Sequence, residues 1–210
     1  MNRAHFSPIF SDKFPAAIVK ANSRDAEVNF ALEWLSMWLK YKEFCGESGT
    51  VIFDIDDTLL TYENKQKRAM RLPAANIYDS CKGRFKLVII TARPEMDDNR
   101  QKTIETLHAL RITDWVRSEM MPALEYGLVH TLSPEKATEI IAKFKRSKRD
   151  IIAKEGPIIA NIGNMWTDLV DYPLTEELSF IWTIPDQKPC VLFPTNSHHE
   201  AAVKVPMVGW

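Results

Sequence analysis

The chain has 210 residues, of which 45% are hydrophobic and 26% are charged, so it can bury a sizeable core and is not intrinsically disordered. Its formal net charge of −1 gives no sign of a general polyanion binder or a membrane-surface protein. No apolar run approaches the roughly 18 residues of a transmembrane helix, and the first twenty residues lack the pattern of a signal peptide. We therefore expect a cytoplasmic protein without a membrane partner.

Helical and strand-like segments alternate along the chain. Ser23 is a predicted N-cap, and apolar side chains at helical spacing follow it as far as Leu39. Ser133 and Pro134 have the cap and first-position chemistry of a second helix start. Short apolar runs without polar alternation are typical of buried parallel strands. We predict strands at 51–53, 85–90, 118–123, 158–162, 178–184 and 191–193, and helices at about 20–45, 97–110 and 133–155.

This alternation favours βαβ units and therefore an α/β fold, a parallel sheet with helices on both faces. Residues 1–210 are expected to form one domain, with an N-terminal helical extension at about 20–45, a core at 50–195 and a tail at 196–210. Ligands of open α/β sheets bind beyond the carboxyl ends of the strands. Polar residues that follow the predicted strands are therefore expected to converge on one site.

Three predicted strands end in polar residues. Asp54, Asp56 and Asp57 follow the first strand directly, and carboxylates so close together repel one another unless a cation compensates. Mg²⁺ is the natural partner of such oxygen ligands. The alternative for this string alone is a solvated turn or a helix cap. Thr91 ends the second strand, where a threonine taken alone is more often structural, and the polar segment 163–168 ends the fourth.

Taken together, these segments resemble the four motifs of the haloacid dehalogenase-like superfamily. VIFDIDDTLL at 51–60 matches the first motif, and LVIITARPE at 87–95 is similar to the second. FKRSKRDIIAKEGPIIANIGNMWTDLVDYP at 144–173 resembles the third and fourth motifs of the class B acid phosphatase and plant vegetative storage protein group. The resemblance covers about residues 25–185. It implies a three-layer Rossmann-like core with a minimal cap or none, and phosphatase activity that depends on Mg²⁺.

The resemblance also implies a role for each matching residue. Asp54 would be the nucleophile that forms an aspartyl-phosphate, and Asp56 would protonate the leaving alcohol and then activate water. Thr91 and Lys145 would hold the phosphoryl oxygens. Arg149, one helical turn after Lys145, would position that lysine or hold a carboxylate of the fourth motif, next to the bound phosphate. The implied metal ligands are Asp54, Asp56 through its backbone carbonyl, Asn164 and Asp168.

Asn164 departs from the pattern of the subgroup, which usually has aspartate directly after the glycine of the fourth motif. An amide oxygen can bind Mg²⁺ but brings no charge, so weaker metal binding is expected. Asp168, at the second acidic position, is intact. The alternative to an active phosphatase is therefore a binding or storage-type protein on the same fold with weak activity, although the presence of both Asp54 and Asp56 favours catalysis.

The spacing of the motifs bears on the substrate. Only about thirty residues separate the first two motifs, which leaves room for a flap but not for a large cap. Two basic stretches, 63–86 and 143–154, each carry a surplus of five positive charges and are expected to border the site mouth, although a solvated surface explains either stretch alone. A phosphorylated small molecule is the expected partner, and the phosphate at a nucleic-acid end is the alternative.

Overall fold

The computed structural model describes residues 5–9, 16–20, 23–62, 68–169, 189–192 and 201–205. Within these ranges the protein has an eight-stranded sheet and a two-stranded hairpin, with helices between the strands. The strands are β1 (His5–Ile9), β2 (Ala16–Lys20), β3 (Thr50–Phe53), β4 (Leu60–Tyr62), β5 (Ala69–Arg71), β6 (Lys86–Glu95), β7 (Arg117–Pro122), β8 (Ile158–Gly163), β9 (Cys190–Leu192) and β10 (Ala201–Lys204). The helices are α1 (Arg24–Phe44), α2 (Ala74–Cys81), α3 (Asp97–Ala109), α4 (Ala123–Val129) and α5 (Pro134–Glu155).

Five neighbouring strands of the described sheet run parallel, in the order β10-β8-β3-β6-β7. Beyond β10, the strands β9, β2 and β1 continue the sheet in antiparallel pairing. All four residues of β3 are buried, as expected for a central strand covered on both faces. The predicted α/β architecture is therefore confirmed, and a parallel sheet of this kind is compatible with a Rossmann-like fold.

Helices cover both faces of the parallel strands. Phe53 faces a core that includes Leu35 of α1, Tyr78 of α2 and Leu107 of α3. Ile52, which points to the other face, packs in a second core with Phe144 and other residues of α5. None of the described helices is both long and apolar enough to cross a lipid bilayer.

Most of the predicted elements of the core are confirmed. The strands expected at 51–53, 85–90, 118–123 and 158–162 are β3, β6, β7 and β8, and the helices expected around them are α1, α3 and α5. Ser23 caps α1 by accepting a hydrogen bond from Ala26 N at 3.2 Å, and Ser133 caps α5. The stretch expected at 191–193 is found as β9, although residue 193 lies outside the described residues. The strand expected at 178–184 also lies outside them.

The carboxyl-terminal region differs from the tail expected at 196–210. Ala201–Lys204 form β10, which lies beside β8 in parallel pairing and supplies one of the five parallel strands. Ala201, Val203 and Lys204 are fully buried. Four residues without a longer apolar run carry too little hydrophobic periodicity to predict a strand. Tertiary pairing with β8 decides their conformation.

Candidate active site

The register of the parallel strands brings the predicted polar segments to one edge of the sheet. Phe53, the last residue of β3, pairs with Ile162 of β8 on one side and with Ile89 of β6 on the other. The backbone N–H of Asp54 continues this ladder and donates to Ile162 O at 3.0 Å. Asp54 therefore lies between the chain segments that continue β8 and β6, as expected for a site beyond the carboxyl ends of the strands.

A tight turn follows Asp54 and fixes its side chain. The backbone N–H groups of Thr58, Leu59 and Leu60 all donate to the carbonyl of Ile55. Asp57, within this turn, has a positive φ of 55°, a conformation that Asp tolerates better than most residues. The Thr58 hydroxyl faces Asp54 Oδ2 at 3.4 Å. The turn therefore accounts for Asp57 structurally, whereas it presents Asp54 to the site.

A buried lysine joins the two acidic segments of the site. Lys145 of α5 donates from Nζ to Asp54 Oδ1 at 2.7 Å and also to Asp168 Oδ1. The three residues are only 4 to 6% exposed. Charged side chains are seldom buried to this extent unless they are paired. The sequence-predicted nucleophile, phosphate-binding lysine and second acid of the fourth motif thus form one hydrogen-bonded group.

Burial and the shared lysine set the electrostatics of this group. Burial, opposed by Lys145 and reinforced by Asp168, raises the pKa of Asp54 to about 7. Burial disfavours the charge of Lys145, but Asp168 and Asp54 outweigh it, so the pKa of the ammonium lies above its usual value. Two carboxyl groups that compete for one ammonium leave one negative charge uncompensated. When both carboxyl groups are ionised, the group is therefore suited to binding an additional cation. A covalent bond from a carboxylate oxygen to a substrate would also remove this negative charge.

The short helical turn Trp166–Asp168 after β8 holds Asp168 in place. Asp168 Oδ2 accepts a hydrogen bond from Met165 N at 2.9 Å. Arg149 donates from Nη1 to the carbonyls of Thr167 and Asp168, at 3.2 and 2.9 Å. In these hydrogen bonds Arg149 holds the backbone at Thr167 and Asp168, and the roles implied for its side chain stay predictions. Arg149 therefore supports the placement of Asp168.

A small cavity opens beside the charged group. Its volume of about 10 Å³ suffices for roughly one water molecule. Apolar residues of the sheet line one part of it, and polar side chains line the rest: Asp54, Lys145, Arg149, Asn161 and Asp168. Strand β6 contributes Ile90 to this lining. The charged group is thus packed against the sheet and separated from bulk solvent on that side.

The residues implied as metal ligands fit a magnesium site in part. Asp54 Oδ2 has only the long contact with Thr58, and Asn164 is 6% exposed with no side-chain hydrogen bond to any other described residue. Asp168 is less suitable, because Lys145 and Met165 N occupy its two oxygens. The described residues contain no group of three or more His, Cys, Asp or Glu arranged for a metal. Of the implied ligands, the Asp54 carboxylate and the Asn164 amide therefore have oxygens that fit a metal.

Asp56, the implied acid and base, lies outside the buried group and is paired with a residue that the sequence did not single out. Arg93 donates from Nε to Asp56 Oδ2 at 2.9 Å and from Nη2 to Asp56 Oδ1 at 2.6 Å. The Asp56 side chain is 50% exposed, so it remains open to a substrate. Arg93 stands two residues after Thr91 in the segment 87–95. This proximity to a predicted site residue is the sequence signal that points to Arg93.

Thr91 lies in the carboxyl half of β6, and its implied contact with phosphoryl oxygens stays a prediction. It is 1% exposed, and its Oγ1 accepts a hydrogen bond from Arg93 N at 3.3 Å. Among the described residues it makes no hydrogen bond to Asp54 or Lys145. The structure thus brings together Asp54, Lys145 and Asp168, and Thr91 bonds the backbone of Arg93 in the irregular part of β6.

Several described residues of the basic stretch 63–86 are paired within the protein. Arg71 donates to the carbonyls of Leu110 and Ala75 and pairs with Asp79. Lys82 pairs with Asp79 and Asp114, and Arg84 pairs with Glu43. Lys86 is the first residue of β6, at the end of that strand opposite to the site. Lys65 and Lys67 lie outside the described residues. Charge counting along the sequence could not reveal these partners.

The basic stretch 143–154 is used largely within the protein. Lys145 and Arg149 belong to the site itself. Lys148 pairs with Glu119 at 2.9 Å, and Arg146 lies 3.8 Å from Asp150. Local carboxylates therefore pair with two of these basic side chains, and the expected position of the whole stretch at the site mouth stays a prediction.

Comparison with known proteins adds no relative. The chain matches no protein-family model. No curated protein matches it either. What the site can do must therefore be inferred from the chemistry of Asp54, Lys145, Asp168 and the Asp56–Arg93 pair.

Proposed function

We propose that the protein is a Mg²⁺-dependent phosphomonoester hydrolase that works through an aspartyl-phosphate on Asp54. The observation that carries the proposal is the buried contact of Lys145 with Asp54 and Asp168 at the carboxyl edge of the sheet. A carboxylate held by a lysine, with a second carboxyl group open to solvent two residues later, suits in-line attack on a phosphoryl group. The resemblance of the four segments to haloacid dehalogenase-like motifs supports the same chemistry.

In the first step, an Asp54 carboxylate oxygen forms a bond to phosphorus while the bond from phosphorus to the ester oxygen breaks. Asp56, in its protonated form, gives its proton to that oxygen, and the alcohol leaves. In the second step, water forms a bond to phosphorus and passes a proton to the Asp56 carboxylate. The bond from phosphorus to Asp54 breaks, which releases inorganic phosphate and restores both aspartates.

The remaining residues stabilise charge and geometry. Lys145 places a positive charge within 2.7 Å of the Asp54 carboxylate, where negative charge on the phosphoryl oxygens develops. Arg149 holds the backbone that carries Asp168. Mg²⁺, when held by Asp54, Asn164 and the Asp56 carbonyl, would screen the charge of the phosphoryl group. Thr91, which the resemblance implies as a ligand of the phosphoryl oxygens, also accepts a hydrogen bond from Arg93 N.

We further propose that the chain has a haloacid dehalogenase-like core of the class B acid phosphatase and vegetative storage protein type. The hairpin β4–β5, which follows the turn after Asp54, occupies the place of the flap. A phosphorylated small molecule is the proposed substrate. The nucleic-acid alternative has less support, because several of the basic residues that suggested it pair with neighbouring acids.

The test is phosphate release from an aryl phosphate in millimolar Mg²⁺, with Asp54→Asn as the critical variant. Loss of release in Asp54→Asn is expected because an amide cannot form the aspartyl-phosphate. Asp57→Asn is the matched control: it lies three residues later, and its Oδ1 accepts from Thr61 Oγ1 at 2.8 Å, a role an amide oxygen can keep. Wild-type turnover by folded Asp54→Asn protein would contradict the covalent mechanism.

A binding protein with weak activity is the second candidate, and Asn164 is the observation that favours it. The missing charge at this position lowers the expected affinity for the metal. This candidate predicts that wild-type protein binds inorganic phosphate in calorimetry but turns over no phosphorylated metabolite in millimolar Mg²⁺. If the wild-type protein turns over a phosphorylated metabolite and Asp54→Asn does not, the protein is a hydrolase and this second candidate is excluded.

A further inference from the structure

The Arg93 guanidinium forms a bidentate ion pair with the Asp56 carboxylate. Its Nε and Nη2 donate to the two carboxylate oxygens at 2.9 and 2.6 Å, the bidentate geometry that fixes both the distance and the plane of a carboxylate. The Arg93 side chain is 13% exposed, whereas the Asp56 side chain is 50% exposed. The arginine is therefore the packed partner, and the aspartate presents its free side to solvent.

Arg93 is itself anchored by two further elements of the fold and by its own strand. Nη2 donates to the Tyr62 hydroxyl of β4 at 3.1 Å, and Nη1 donates to Thr103 Oγ1 of α3 at 3.2 Å. Its backbone N–H donates to Thr91 Oγ1. A guanidinium has five N–H donors. The two hydrogen bonds to Asp56 and those to Tyr62 and Thr103 engage four of them. Arg93 is thus committed to protein groups and has little capacity left for a substrate phosphate.

We propose that Arg93 is a positioning residue that holds the Asp56 carboxyl group toward the ester oxygen of the substrate. The inference rests on the proposed function and goes beyond the roles that the resemblance implies. Proton transfer requires the carboxyl oxygen within hydrogen-bond reach of the leaving oxygen, and small misplacements of such groups are costly. The proton still moves between Asp56 and the leaving oxygen, and Arg93 itself exchanges none.

Tyr62 connects this positioning to the hairpin β4–β5. Besides its hydrogen bond, the Tyr62 ring lies 5.8 Å from the centre of the Arg93 guanidinium. Thr103 anchors the guanidinium from the opposite element, α3. Removal of the Tyr62 hydroxyl alone therefore weakens the anchoring of Arg93 without breaking its contact with Asp56. A graded effect, smaller in Tyr62→Phe than in Arg93→Met, follows from this arrangement.

The test uses two substrates that differ in their need for an acid. The leaving group of an aryl phosphate such as 4-nitrophenyl phosphate departs readily without a proton, whereas that of a simple alkyl phosphate does not. For Arg93→Met we expect kcat to fall by a factor of about 100 or more on the alkyl ester, the scale of general acid catalysis, but only a few-fold on the aryl ester. Arg100→Met, which removes a surface arginine paired with Glu95, is the matched control and should leave both rates unchanged.

Arg93→Lys is measured beside Arg93→Met, so that misfolding of one variant cannot decide the outcome. Lysine keeps the charge but cannot form the bidentate pair, and a selective loss on the alkyl ester is expected here too. Equal losses on both esters in the folded variants would overturn the positioning role while leaving the proposed function intact. An inactive wild-type protein on both esters would instead overturn the proposed function and this inference with it.

Discussion

The side chain of Asp168 occupies the space that a side chain at Gly163 would need. A Cβ atom on Gly163 would lie 2.3 Å from Asp168 Cβ and 2.4 Å from Asp168 Oδ2, well inside van der Waals contact. Glycine at the end of β8 therefore allows Asp168 to fold back over the strand and reach Lys145. The glycine of the fourth segment thus has a steric role in the site, in addition to ending the strand.

Gly163→Ala should destabilise the protein and disorganise the site together. The added methyl group must displace Asp168, at a cost of about 1–3 kcal/mol typical of overpacking, and Lys145 then loses one of its two partners. Urea unfolding and phosphate release report the two effects. Gly127→Ala is the control, because nothing lies within 4 Å of a Cβ built there on α4, and alanine favours the helix. Equal stability of the two variants would contradict the steric role.

The two carboxylates of the buried charged group were predictable from sequence because both follow apolar strands. Asp54 and Asp168 come after the runs that form β3 and β8, and parallel strands bring such ends together. Lys145 was found only through the family resemblance, since a basic residue in a basic helix is otherwise unremarkable. Local pattern thus identified the position of the site, and resemblance supplied its lysine.

The Asp56–Arg93 pair and β10 could not be predicted in the same way. The pairing of β6 with β7 shifts in register between Thr91 and Pro94, and Arg93 lies in this irregular stretch, where alternation no longer tells which way a side chain points. Ala201–Lys204 become a strand only through pairing with β8. Asp114, one partner of Lys82, and Glu43, the partner of Arg84, are similarly distant in sequence. Each of these features depends on contacts that a linear pattern does not contain.

Lys145→Met should leave two buried carboxyl groups without their common partner. Removal of one partner of a buried ion pair typically costs about 3–5 kcal/mol, and loss of a charge that stabilises the transition state lowers kcat by a factor of about 100 or more. Chemical unfolding near neutral pH and phosphate release measure both effects. Lys143→Met, two residues earlier on the exposed side of α5, should change neither. Similar behaviour of the two variants would exclude the proposed role of Lys145.

The stability of the metal-free protein should depend on pH through Asp54. Its pKa is about 7 in the folded state against the ordinary 3.8, so the folded protein binds more protons between these values than the unfolded chain. The free energy of unfolding should therefore fall as the pH rises from about 4 to about 7, by up to about 4 kcal/mol, and then level off. Asp54→Asn lacks this titration. Urea unfolding in chelator should show a shallower pH slope for the variant, and equal slopes would contradict the raised pKa.

Asn164→Asp should strengthen Mg²⁺ binding. Asn164 is buried and directly follows β8, and an added carboxylate would supply the charge that the amide lacks. We expect the dissociation constant for Mg²⁺, measured by calorimetry without substrate, to fall by a factor of about 10 or more, equivalent to about 1.4 kcal/mol. Asn76→Asp on the exposed surface of α2 adds the same charge away from the site and serves as the control. Unchanged affinity in folded Asn164→Asp protein would show that position 164 does not contact the metal, because a new carboxylate ligand must contribute through its charge.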